Sequence, residues 1–216
     1  MTLSWLVLVP IKSTRIGKSR IALDPESRRR LARAMALDTV TAVAAADRVG
    51  GVWVLVDDPA DGDLFRGMPG VCARRTGVVG LNDVIREACG ALPAMGGDDS
   101  RPVAVLPADL PSLEPGELDD ALRQAVAVPR AVVPDRQGTG TTLLAARDAA
   151  QLRPQYGPGS FAAHRVSGAA GLQLPDDSGL RCDVDVIADL AGVTGRYTRS
   201  EAGDLVSPAT DRQGVG

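Results

Sequence analysis

Aromatic side chains are scarce in this chain: two Trp, two Tyr and two Phe among 216 residues. Any core must therefore be built from Val, Leu, Ile and Ala, and a hydrophobic content of 44% supplies enough of them. No apolar run approaches the ~20 residues of a membrane span. The opening MTLSWLVLVP is short and runs into a charged loop, so it reads as a first strand rather than a leader. Excess positive charge is missing too. A net charge of −3 argues against a nucleic-acid binder. Cys72, Cys89 and Cys182 are odd in number and lack metal-ligand spacing, which predicts reduced thiols and a cytoplasmic location. Histidine occurs once, at His164, and no nucleophile–base pair stands out; His164 itself reads as a surface or structural residue.

Lysine is the most telling scarcity. Only two of the 24 basic residues are lysine, and both, Lys12 and Lys18, fall in one loop. Lysine is a compact, flexible point charge and arginine a flat fork, so the two differ at a close phosphate contact. The loop Pro10–Leu23 also carries Arg15 and Arg20, and no acid.

A chain of this length forms one sizeable domain or at most two small ones. Trp5–Val9 and Val52–Val56 read as strands, with a third around Val71. Val103–Leu106 reads as a buried strand and Ala131–Val133 as another. Leu143–Ala146 reads as a strand antiparallel to its neighbour. Asp24 with Pro25 predicts a helix start, the Gly50-Gly51 pair its end, and Leu31, Met35, Val40 and Val43 its inner face. Further helices are expected over Gly80–Leu92 and Glu114–Val126, and a short one after the glycine-bearing loop near Tyr156. Leu180–Val186 reads as the last strand. Residues 1–199 then form the domain and 200–216 a disordered tail. Alternating strands and helices predict an α/β architecture: a mainly parallel sheet covered on both faces.

Asp109 follows the strand at Val103–Leu106, and open α/β sheets bind ligands beyond the carboxyl ends of their strands. Its bland reading is a cap on the next helix. Asp183 and Asp185, two apart on an expected strand, would point to one face. Two neighbouring carboxylates repel unless a cation lies between them, and hard cations such as Mg²⁺ take oxygen ligands. The bland reading makes Asp185 a helix cap and leaves Asp183 solvated. GKS at Gly17–Ser19 suggests a P-loop kinase, but the first glycine of that motif would stand at Lys12, and Pro25 starts the helix too late.

In order along the chain come VPIKSTRIGKSRIA, PADLPSL, DRQGTGTT, YGPGSFAAHR and LRCDVDVIADL. Together they closely resemble the CofC-type guanylyltransferases of coenzyme F-420 biosynthesis, over about Leu3–Ala191. Ser13, Arg15 and Gly17 also resemble the loop of nucleotidyltransferases that modify molybdopterin or sugar phosphates. Those carry Gly-Gly where Pro10-Ile11 stands here. The resemblance implies a Rossmann-like nucleotidyltransferase of the GT-A type. It implies transfer of GMP from GTP to the phosphate of a three-carbon acid, with release of pyrophosphate. The arginine-, Ala- and Val-rich composition looks actinobacterial, which favours phosphoenolpyruvate and the product enolpyruvoyl-2-diphospho-5′-guanosine over the archaeal acceptor 2-phospho-L-lactate. By the same resemblance Asp109, Asp183 and Asp185 match metal-binding carboxylates. Thr141, Gly157 and Ser160 match acceptor-binding positions, and Asn82 a position near the nucleotide, with a helix cap as its bland alternative. The downstream transferase that uses the product is the partner this implies.

The residue types agree with such chemistry. The attacking group is already an anionic phosphate, so no general base is required, and positioning and charge neutralisation carry the reaction. Lys12, Arg15, Lys18 and Arg20 would hold the triphosphate. Asp109 with Lys12, Arg15 and Lys18 would form the catalytic set, and Mg²⁺ would be the cofactor. A regulatory domain that binds nucleotide without turnover is the reading outside enzymes; keeping three aspartates and both lysines argues against it.

Overall fold

The computed structural model describes residues 4–11, 23–92 and 101–206, the last three as backbone only. Lys12, Arg15, Lys18 and Arg20 therefore lie outside the described residues. Seven strands among the described residues form one sheet in the order β3-β2-β1-β4-β6-β5-β7. They are β1 (Trp5–Ile11), β2 (Val49–Val56), β3 (Val71–Arg75), β4 (Val103–Val105), β5 (Arg130–Pro134), β6 (Thr141–Ala146) and β7 (Ala170–Gly171). The pairs β1–β2, β2–β3, β1–β4 and β5–β7 are parallel, while β6 runs antiparallel to both β4 and β5. The α/β class, the covered sheet and the antiparallel β6 all follow the sequence expectation.

Alternation explains the cover on both faces. Trp5, Val7, Val9 and Ile11 of β1 join one core cluster, while Leu6 and Leu8 join the other. Helices α1 (Pro25–Ala45) and α4 (Pro115–Ala125) close the first face through Ala36, Val40, Val43, Leu118 and Leu122. Helix α3 (Leu81–Gly90) closes the second with Ile85 and Ala88, aided by Phe161 of α5 (Ser160–Val166). Asp24 caps α1 as expected, its carboxylate accepting from the N–H groups of Glu26 and Ser27. A short helix, α2, spans Pro59–Gly62.

Three expectations need correction. Helix α1 ends at Ala45, and Gly50-Gly51 lies inside β2. The β1 register jumps there from Val49 to Gly51, so Gly50 is the extra residue of a bulge and not a helix terminator. Leu180–Val186 is not a strand. Gly179–Arg181 is a turn of 3₁₀ helix and the following residues form no ladder; the strand beside β5 is β7, at Ala170–Gly171. Finally, helix α6 (Arg196–Val206) continues through the start of the expected tail. Asp38, buried on α1, accepts from the N–H groups of Tyr197 and Thr198 and from the Thr198 hydroxyl, which anchors α6 to α1. Residues 207–216 lie outside the described residues.

Candidate active site

Chain direction around the sheet changes between β1 and β4. From β1 the order steps outward to β2 and β3; β4 then lies on the other side of β1. Such a switch point leaves a crevice at the strands' carboxyl ends, where α/β sheets bind ligands. Two of the expected groups start there. The basic loop follows Ile11, and Asp109 follows β4.

The segment that carries Asp109 is held by bonds from three directions. The Leu106 N–H donates to Leu8 O, which extends the sheet by one residue. The Leu110 N–H donates to the buried Thr39 hydroxyl at 3.0 Å. The Val184 N–H donates to Asp109 O at 3.1 Å. Glu114, not Asp109, stands at the N-cap of α4.

The Val184 bond brings the Asp183–Asp185 segment to Asp109 without a strand. Val184 is buried against Leu31 and Met35, while Asp183 and Asp185 on either side stay half-buried. Asp189, inside the 3₁₀ turn Ile187–Leu190, reaches back to its start and accepts from the N–H groups of Asp185 and Val186. Asp183 lines a cavity of about 260 Å³ with Glu117, Arg136 and Asp189. Among the described residues no three His, Cys, Asp or Glu converge closely enough to hold a metal ion as they stand. The donor set is still all carboxylate oxygen, the kind that suits Mg²⁺.

Two of the residues expected to bind the acceptor do meet. Thr141 opens β6 and Ser160 opens α5, and their hydroxyls lie 3.2 Å apart. Both are nearly closed off, Thr141 at 8% exposure and Ser160 at 3%. The turn before Thr141 is built by Asp135, whose buried carboxylate accepts from the N–H groups of Thr139 and Gly140. A Cβ on Gly140 would stand 2.4 Å from Asp135 Oδ2, so only glycine fits. The Phe161 N–H donates to Thr139 O and so ties this turn to α5. Gly157 sits at φ +145°, a conformation that residues with a Cβ rarely adopt.

Two residues take unexpected places. Asn82 binds the backbone of Tyr156 at both ends of its amide: Nδ2 donates to Tyr156 O at 3.0 Å, and Oδ1 accepts from Tyr156 N at 2.7 Å. It is the second residue of α3, not its cap, and it fixes the glycine loop rather than turning its amide outward. His164 is fully buried. Its Nδ1 lies 3.0 Å from Thr141 Oγ1, and its Nε2 accepts from the Gln155 N–H at 2.8 Å. Burial, then the nearby Arg130 charge, lowers its pKa to about 4, so the ring is neutral at ordinary pH. The signal for His164 was its spacing, four residues after Ser160 on one helix face. Tyr156 stands edge-on to the His164 ring at 5.2 Å, and its hydroxyl reaches Val105 O at 3.5 Å, linking the loop to β4.

Residues 5–191 match the family model described as Guanylyl transferase CofC like. This chain belongs to that family. A phosphoenolpyruvate guanylyltransferase of Salinispora arenicola is 45% identical, over 88% of this chain and 88% of that one. Another, of Streptomyces scabiei, is 42% identical over 89% and 91%. A third, of Sanguibacter keddieii, is 39% identical over 88% and 80%. Among solved structures, a Desulfovibrio desulfuricans protein named as a nucleotide-diphospho-sugar transferase superposes with a TM-score of 0.68 at 18% identity, covering 94% of each chain. A 4-diphosphocytidyl-2C-methyl-D-erythritol synthase gives 0.58 at 13% identity, over 84% of this chain and 93% of that one. These likenesses show the nucleotidyltransferase fold. Membership of the guanylyl transferases makes the chain an enzyme of guanylyl transfer. No helix among the described residues is long and apolar enough to cross a membrane.

Proposed function

We propose that this guanylyl transferase uses GTP as donor and phosphoenolpyruvate as acceptor. A phosphate oxygen of the acceptor attacks the α-phosphorus of GTP. The bond from that phosphorus to the bridging oxygen breaks, and pyrophosphate leaves with the electron pair. The acceptor phosphate is ionised at neutral pH, so no side chain has to remove a proton.

The observation that carries this reading is the hydroxyl pair Thr141–Ser160. It is nearly buried beside a glycine loop that Asn82 and His164 tie down. A small anion suits such a space, because buried hydroxyls need partners and bare backbone lets an anion come close. The names of the relatives point to phosphoenolpyruvate. In this reading Thr141, Gly157 and Ser160 hold the acceptor, while Lys12, Arg15, Lys18 and Arg20 hold the triphosphate. Asp109, Asp183 and Asp185 would hold Mg²⁺, which when bound offsets repulsion between the phosphates. Asp109 and the basic loop then complete the catalytic set.

Free Cys72, Cys89 and Cys182 support a cytoplasmic site of action. The product is a reactive enol ester, which supports hand-over to the transferase that consumes it. The deciding experiment is mass spectrometry of products from GTP with phosphoenolpyruvate and 2-phospho-L-lactate in competition. The enolpyruvoyl product should dominate; equal or faster use of 2-phospho-L-lactate would overturn the acceptor.

A further inference from the structure

We infer that His164 is a positioning residue for acceptor binding at the Thr141–Ser160 pair, by obliging that pair to keep one hydroxyl hydrogen for an anion. The inference rests on the acceptor reading above and adds a residue that reading does not contain.

The argument is a count of hydrogens. A backbone N–H can only donate, so the Gln155 N–H at 2.8 Å requires a lone pair on His164 Nε2. The ring's one hydrogen is then on Nδ1, and it is given to Thr141 Oγ1 at 3.0 Å. Thr141 Oγ1 therefore accepts from inside the protein and cannot spend its own hydrogen there. Between Thr141 and Ser160, 3.2 Å apart, one hydroxyl donates to the other. Among the described residues two hydroxyl hydrogens meet one internal acceptor, so one hydrogen is left over whichever way the pair turns.

That surplus donor is nearly closed from solvent, at 8% and 3% exposure of its two residues. An acceptor with an anionic oxygen satisfies it; one without leaves a buried donor unpaired. The opposite tautomer would face the Gln155 N–H with a second N–H, so the direction is fixed by the loop itself. The strap is continuous: Asn82 holds Tyr156, Gln155 sets His164, and His164 sets Thr141.

The experiment combines steady-state kinetics with spectroscopy of untagged protein, in which His164 is the single histidine. His164→Leu should raise KM for phosphoenolpyruvate by about tenfold or more, leaving KM for GTP within about twofold. His164→Asn, whose amide can donate from near the Nδ1 position, should recover most of that loss. Thr141→Val combined with His164→Leu should cost little more than Thr141→Val alone. Long-range ¹H–¹⁵N spectra of the wild type should show the Nδ1–H form.

Wild-type protein that makes no product from GTP and phosphoenolpyruvate would overturn the acceptor reading. If 2-phospho-L-lactate proves to be the acceptor, the same comparison applies to its KM. An active wild type whose His164→Leu variant shifts both KM values equally, or neither, would overturn the role of His164 alone. An Nε2–H tautomer would overturn it in every case.

Discussion

At the residue scale, His164 also leaves a mark on stability. Its pKa of about 4 in the fold lies below its ordinary 6.5, through burial first and the Arg130 charge second. Below pH 6.5 the unfolded chain takes up a proton that the folded chain refuses, so stability falls as pH drops from about 6.5 to about 4. At about 1.4 kcal/mol per unit, the loss is on the order of 3 kcal/mol. His164→Asn cannot titrate, so its melting temperature should fall less than that of the wild type across this window; parallel curves would refute the shift. Burial also raises the Cys89 thiol to about 11, which leaves exposed Cys72 as the faster thiol toward an alkylating agent. In the basic loop, Lys18→Ala should raise KM for GTP far more than KM for the acceptor. Lys18→Arg should restore only part of this, because a planar fork does not replace a point charge. Full activity in the arginine variant would show that the pairing of the two lysines is accidental.

At the element scale, the short turns matter more than the long helices. The turn Asp135–Gly140 and helix α5 bring the Thr141 and Ser160 hydroxyls together, and both hang on side chain to backbone bonds. The start of helix α6 is held by the Asp38 carboxylate, with an Arg30–Glu201 ion pair at 3.3 Å farther along. Asp38→Ala would orphan the N–H groups of Tyr197 and Thr198 and the Thr198 hydroxyl, all at 2.7–3.0 Å from Asp38. A loss of about 2–4 kcal/mol is expected from charged bonds of this kind, read by chemical denaturation. Amide exchange over Arg196–Val206 should rise with it. Unchanged stability would mean that α6 is held by other contacts.

At the scale of the whole molecule, one end of one sheet gathers distant stretches: the carboxyl end of β1, Asp109 after β4, Thr141 at the start of β6, and the Asp183–Asp185 segment. Asn substitutions at Asp109, Asp183 and Asp185 keep size and remove charge. Each should lower turnover by about 10²-fold, the scale for losing one electrostatic contact to a transition state. Each should leave the melting temperature close to that of the wild type, since thinning like charges relieves repulsion. Turnover measured against Mg²⁺ concentration tests this. Near-normal turnover at unchanged Mg²⁺ dependence would remove that aspartate from the site, and a collapse in melting temperature would make it structural.

Local chemistry was legible in the chain. The Asp24–Pro25 start of α1, its inner face of Leu31, Met35, Val40 and Val43, and the buried strands follow from spacing and side-chain type over a few residues. So does the lone Asp109 after a strand. The order of short motifs was enough to point to the family. Tertiary structure decided the rest, because it turns on partners far apart in sequence. Asn82 meets Tyr156 across 74 positions, Thr39 meets Leu110 across 71, and Asp38 meets Thr198 across 160. Nothing within a few residues of Asp183 says whether it pairs in a ladder or lies as an irregular segment; the structure holds that segment through the bond from Val184 to Asp109 and the packing of Val184 on Leu31 and Met35. His164 reads locally as a surface or structural residue whose one signal is its spacing from Ser160. Only packing of α5 against β6 and the glycine loop buries it, fixes its proton on Nδ1 and aims it at Thr141.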